Sequence, residues 1–160
     1  MSSSQAPSDS MKLIASGVET VTSGATGEDL ATFLDITAYD YILVAATIVA
    51  ITGTTPTQLD VKFRTATASN GVTGAALAQL NGADIIGTIV GSEFAVGSSI
   101  LLQVRTRGLK QFGSPLFLAT AGTSVDVAFT VIGVGVRDTK ELGTHWVAGA
   151  SSEVVETVIS

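Results

Sequence analysis

The side chains best suited to chemistry are few in this sequence, and they do not converge. His145 is the single histidine and there are no cysteines. Disulfides and thiolate metal sites are therefore excluded. A site built from several histidines cannot form within one chain. A nucleophilic triad needs a base beside the nucleophile and a third group to orient that base. His145 lies in a polar stretch next to Trp146 and reads as an interface residue, not a base. The acids Asp35, Asp40, Asp60, Asp84, Glu93 and Asp126 stand alone, and Glu28-Asp29 follows Gly24-Ala25-Thr26-Gly27 in a loop-like run. They read as turn and surface acids. An oxygen-ligand calcium site would have to assemble in space, because no calcium-loop consensus is present. An enzyme would need carboxylates such as Asp60 and Asp126 to meet in one cleft. Gly133-Val134-Gly135 sits inside a strand pattern with no helix after it, so it is not a dinucleotide fingerprint. The expectation is no catalytic residue, no metal and no cofactor.

Composition points toward assembly. Charged residues make up 14% of the 160, against roughly 25% in typical soluble domains. Mean hydropathy is +0.49. Either a membrane or other protein chains must cover such a surface. The net charge of −6 offers nucleic acid no electrostatic footprint. Arg105, Arg107 and Lys110 read as a solvated strand edge and turn. The opening MSSSQAPSDS lacks the basic and apolar regions of a secretory signal, so synthesis in a cytoplasm is expected.

The longest apolar run, Tyr41 to Ile51, decides the fold class. It is about half the ~20 residues a membrane helix needs. It is rich in β-branched residues and bounded by Asp40 and Gly53-Thr54-Thr55-Pro56, which fits a strand buried on both faces. No membrane span is expected. Beyond it, Leu59, Val61, Phe63 and Thr65 alternate with Gln58, Asp60, Lys62 and Arg64, the period of a half-buried strand. Asp40–Thr52 and Thr57–Thr67 thus read as consecutive, antiparallel strands joined by a short turn. Asn70-Gly71 ends the second.

The same grammar recurs at Lys12–Ala15 and Val18–Thr22 (split by Gly17), Ala31–Thr37, Ile85–Val90, Ile100–Arg107, Leu116–Thr120 and Val125–Val136. In the last, Val125, Val127, Phe129 and Val131 form one face. The other turns apolar at Ile132, Val134 and Val136. Gly133 and Gly135 suggest a bulge or a close backbone contact. Ala75–Leu80 is the one helical turn expected. About eight strands at ten-residue spacing predict an all-β fold: an antiparallel β-sandwich, jelly-roll or related Greek-key. Residues 1–10 read as a flexible N-terminal arm, 11–137 as the sandwich and 138–160 as an extended C-terminal arm. Within that arm His145, Trp146, Val154, Val155, Val158 and Ile159 are the candidate interface residues, packing on a neighbour or adding a strand to their own sheet.

The stretch "TTPTQLDVKFRTATASNG", with "SSILLQVRTRG" and "SVDVAFTVIGVGV" after it, resembles structural proteins of tailed bacteriophages. In these a Leu-x-Val-x-Phe/Leu-x-Thr strand leads into a Ser/Asn/Asp-Gly hairpin, and further strands complete a sandwich. The likeness covers Asp40 to Val136. It implies a non-enzymatic virion protein that decorates or cements the head surface. Its expected partners are itself, as a homotrimer, and a major capsid protein or other virion proteins. Its expected place is the capsid surface, after synthesis in the host cytoplasm. The alternative is a carbohydrate- or receptor-binding sandwich of a tail fibre or bacterial surface protein. For that role Trp146, Tyr39 and Tyr41 are the available aromatics, Phe63 and Phe129 falling on core faces.

Overall fold

The computed structural model describes residues 11–80, 82–135 and 154–159, the last as backbone. Its strands are β1 (Met11–Thr22), β2 (Glu28–Asp29), β3 (Leu34–Asp35), β4 (Tyr41–Thr52), β5 (Gln58–Ala66), β6 (Ala76–Leu77), β7 (Gln79–Leu80), β8 (Ala83–Asp84), β9 (Ile86–Val90), β10 (Ser99–Arg105), β11 (Phe112–Thr120), β12 (Ser124–Val134) and β13 (Val154–Ile159). One turn of 3-10 helix, Gly91–Glu93, precedes β10. Among the described residues no helix is long and apolar enough to cross a membrane.

Two antiparallel sheets face each other. The first has the order β1-β12-β4-β10-β13. The second is built on β11 and β5, with β2 and β3 along the outer edge of β11 and β6 and β9 along that of β5. Their inner faces close over one core. Ile42, Val44, Ala46 and Ile48 of β4 and Val125, Val127, Phe129 and Val131 of β12 meet Leu59, Val61 and Phe63 of β5. The rings of Phe117 and Phe129 reach across the two sheets, with centroids 5.8 Å apart. The alternation read at β5, β10 and β12 is the alternation observed: the predicted inward residues are buried and their neighbours are not.

Bulges account for the unbroken apolar run in β4. Val127 pairs with Ile48 but Asp126 with Ala50, so Val49 is an extra residue. That slip lets both Ile48 and Ile51 belong to the core side, which strict alternation forbids for residues three apart. A second slip between Leu13 and Ala15 makes Ile14 the extra residue in β1. The outward side of β4 is only half-buried, so the expectation of burial on both faces holds for the inner one alone.

Several elements differ from the sequence reading. β4 and β5 are not hairpin partners. They lie in opposite sheets, and residues 53–57 cross between them. β1 runs unbroken through Gly17, because the Phe129 ring packs over that residue. Ala75–Leu80 forms no helical turn. The Ala78 N–H donates to Phe63 O (2.8 Å) and Ala78 O accepts from Ile85 (3.0 Å), so the edge of β5 captures the segment against its helix propensity. Ala31–Thr37 shrinks to β3, since Phe33 and Ile36 leave the ladder to enter the interior. β11 starts four residues before Leu116, and Pro115 falls where its ladder passes from β3 to β2.

Gly133 makes its close contact with a side chain. A Cβ there would lie 2.3 Å from the Tyr39 ring. At the predicted turn Gly71 has φ 69°. Asn70 Oδ1 accepts from the N–H groups of Val72 and Thr73, at 3.0 and 3.4 Å.

Candidate functional site

The acids do not gather. Asp60 and Asp126 point outward from opposite sheets and so sit on opposite faces of the sandwich. Asp126 accepts from Thr20 Oγ1 at 2.8 Å, and Asp60 from Thr88 Oγ1 at 2.7 Å and Gln58 Nε2 at 2.8 Å. Among the described residues no three metal-ligating side chains cluster. A cavity of about 500 Å³ beside Ser23 and Thr120 is lined otherwise by glycine and alanine, which offer no acid or base.

Of the predicted interface residues, His145 and Trp146 lie outside the described residues. Val154, Val155, Val158 and Ile159 belong to β13, whose backbone pairs antiparallel with β10 of its own chain; Val158 lies opposite Leu101 and Ile159 opposite Ile100. Their side chains lie outside the description.

The two outer faces of the sandwich differ in chemistry. That of the β5 sheet is polar and internally paired. Arg64 binds Asp29 at 2.8 Å, and Lys62 binds Asp84 at 3.1 Å. Gln79 also donates to Asp84 at 2.9 Å. The hydrogen bonds from Gln79 and Lys62 hold the Asp84 carboxyl below the usual carboxylate range, outweighing the opposing effect of burial, and the Lys62 charge adds to them. At the rim, burial pushes Asp35 up. Its bonds from the Thr37 hydroxyl and N–H and from Gln111 outweigh that, and its pKa is lowered. Tyr39 is raised, by burial first and by the Asp35 charge second.

The outer face of the β1-β12-β4-β10 sheet is apolar toward the Met11 end and polar toward the other, where Thr20, Asp126, Thr22, Ser124 and Thr52 stand. The register sets its residues in rows across the four strands. Met11, Val134, Tyr41 and Arg105 form the first, and Leu13, Ile132, Leu43 and Gln103 the second. Ser16, Thr130, Ala45 and Leu101 form the third, and Val18, Ala128, Thr47 and Ser99 the fourth. Arg105 is the one charged residue in these rows, and its guanidinium lies over the Tyr41 ring, 5.8 Å from the centroid. Leu13 and Val18 are 59% exposed, Met11 50% and Leu101 42%. Single exposed apolar residues are ordinary, whereas a contiguous sheet face of them marks an interaction surface.

The sequence reading found part of this surface. It saw the outer side of β12 turn apolar at Ile132 and Val134. It missed Met11, Leu13, Val18 and Leu101, since only the pairing of β1 with β12 and of β10 with β4 brings them together. Arg105, Arg107 and Lys110 fall at the end of β10 and in the following turn, as expected, and Lys110 Nζ donates to Gly74 O.

Comparison with models of known families, with curated proteins and with solved structures finds no match to this chain.

Proposed function

We propose that this chain is a non-enzymatic structural protein of a virion, one that decorates or cements the head shell of a tailed bacteriophage. The observation that carries the reading is the apolar outer face of the β1-β12-β4-β10 sheet, set against a polar, ion-paired face on the other side. Among the described residues nothing lies on that face, and a surface of that kind favours a protein partner.

Strand order lends support. With β2 and β3 counted as one interrupted strand, and the short β6, β7 and β8 and the terminal β13 set aside, eight strands remain. The first pairs with the eighth (β1, β12), the second with the seventh (β2/β3, β11), the third with the sixth (β4, β10) and the fourth with the fifth (β5, β9). A long antiparallel ribbon rolled into two sheets has this order, which favours a jelly-roll reading of the sandwich. Viral capsid domains use jelly rolls, as do lectins and cupins, so this strand of the argument is an analogy of fold. The net charge of −6 suits an outer surface better than a genome-facing one.

The test is binding to purified heads that lack the protein, using the full chain and a chain without residues 138–160. The full chain is expected to bind and the shortened one to lose binding, self-association or both. If the shortened chain keeps both, the cementing role of the arm is refuted. A saccharide that changes Trp146 fluorescence, with no binding to heads, would favour the carbohydrate-binding alternative.

A further inference from the structure

We infer that Asn70 is a site of spontaneous deamidation, and that the folded turn around it sets how fast the reaction runs. Both asparagines of the chain, Asn70 and Asn81, are followed by glycine. Asn81 lies outside the described residues, and the geometry concerns Asn70 alone. The reaction needs only water. The Gly71 nitrogen gives up its proton to solvent and attacks Asn70 Cγ. The N–Cγ bond forms, the Cγ–Nδ2 bond breaks, and Nδ2 leaves as ammonia after taking a proton from water. The cyclic succinimide then adds water at either carbonyl. It opens to an aspartate or, with the backbone rerouted through the side chain, to an isoaspartate. Glycine favours the closure because it has no Cβ to obstruct the approach.

The fold engages each group that must move. Gly71 N–H, the nucleophile in its protonated form, donates to Ala68 O at 3.1 Å. Asn70 Oδ1 accepts from the N–H groups of Val72 and Thr73, which hold the carboxamide forward along the chain. Gly71 is buried beneath the ring of Phe33, and a Cβ added there would run into that ring. Phe33 is itself fixed: it is buried, and its N–H donates to Ser69 O at 2.8 Å. At the base of the loop Thr67 N–H and Oγ1 both donate to Thr73 O at 3.0 Å. Swinging Cγ onto the Gly71 nitrogen therefore means breaking the Ala68 bond, releasing Oδ1 and lifting Gly71 off Phe33. Asn70 is exposed, so water already reaches its side chain, and conformation is the brake.

The reaction in the folded chain is thus an opening of the turn followed by the chemistry of an unfolded segment. When reclosing outpaces cyclisation, the rate is the unfolded rate multiplied by the open fraction. Hydrogen exchange of the Gly71 amide needs the same opening, since its N–H must leave Ala68 O. One factor therefore slows both reactions. The two products differ in fit. An aspartate at position 70 keeps the acceptor and adds a negative charge, which strengthens the bonds from the Val72 and Thr73 amides. An isoaspartate inserts a methylene into the backbone and draws Gly71 off Phe33.

The experiment follows the full chain at mildly alkaline pH, folded and in urea, by peptide mapping with mass spectrometry. Mapping separates Asn70 from Asn81. Hydrogen exchange at the Gly71 amide is measured on the folded protein under the same conditions. Asn70 is expected to deamidate readily in urea and at least ~10-fold more slowly in the folded chain. That factor is expected to match the protection of the Gly71 amide to within about threefold. Phe33→Leu keeps an apolar filling but removes the ring over Gly71. It is expected to speed the folded reaction and to leave the urea rate alone, with circular dichroism reporting whether it folds. Should it not fold, the wild-type slowing and the wild-type protection decide by themselves. A folded rate equal to that in urea would overturn the inference. So would an Asn70 that stays intact in urea, a slowing far from the Gly71 protection, or a folded Phe33→Leu chain that reacts at the wild-type rate.

Discussion

Gly133 supports the Tyr39 ring on its inner side, where an added methyl has no room. Gly133→Ala is expected to destabilise the fold by about 1–3 kcal/mol, the usual cost of overpacking, read as a lower urea midpoint at unchanged slope. An unaltered midpoint would mean that the ring moves aside freely. Asp84 makes a different kind of contribution. Its carboxyl pKa is lowered in the folded chain by Gln79 and Lys62. The associated stability is therefore fully present above the ordinary aspartate value of about 3.9. It is lost as pH falls through the lower folded value. Asp84→Asn is expected to flatten that part of the acid limb when urea midpoints are compared between about pH 2.5 and 6. The pair with Lys62 is partly exposed, so the effect near neutrality is expected within the ~0.2–1 kcal/mol of surface ion pairs. A wild-type and variant profile of equal slope would remove Asp84 from the acid response. The sequence marked Gly133 as a bulge or a close backbone contact; the contact is with a side chain instead, because Tyr39 reaches it from a loop nearly a hundred positions earlier.

Among the elements, β10 is the one whose environment the C-terminal strand decides. One edge of β10 pairs with β4 and the other with β13. An open edge on so apolar a strand invites pairing with foreign chains. Removing residues 154–159 is expected to speed hydrogen exchange at alternate amides of β10 by at least ~10-fold, while those bonded to β4 stay slow. Uniformly slow exchange would show that β13 does not protect this edge. Strands such as β5 and β12 were legible in the sequence because one side meets oil and the other water, and the side chains record that alternation. The crossing after β4 was not legible. Gly53-Thr54-Thr55-Pro56 suits a hairpin and a sheet-to-sheet connection equally well, and what separates the two is pairing with β10 and β12, far away in sequence. The alanine-rich segment around Ala78 failed for a related reason: its local preference lost to the unpaired edge of β5.

At the scale of the whole molecule, the all-β class and the sandwich were readable from strand spacing and from the absence of long helical periodicity. The difference between the two outer faces was readable only in part. Which residues share a face within one strand follows from the sequence, but which strands lie side by side does not. Leu13 and Leu43 reach one surface only because β12 lies between β1 and β4. That arrangement also has a mechanical consequence. Met11 stands directly opposite Val134 at one end of the β1–β12 ladder. Tension between residue 10 and residue 135 would act on that first rung alone, then on the next, and would peel β1 away like a zipper instead of shearing eleven rungs together. Tension applied between residues 10 and 135 is therefore resisted poorly, whereas load spread across the broad faces of the sandwich meets all the rungs together.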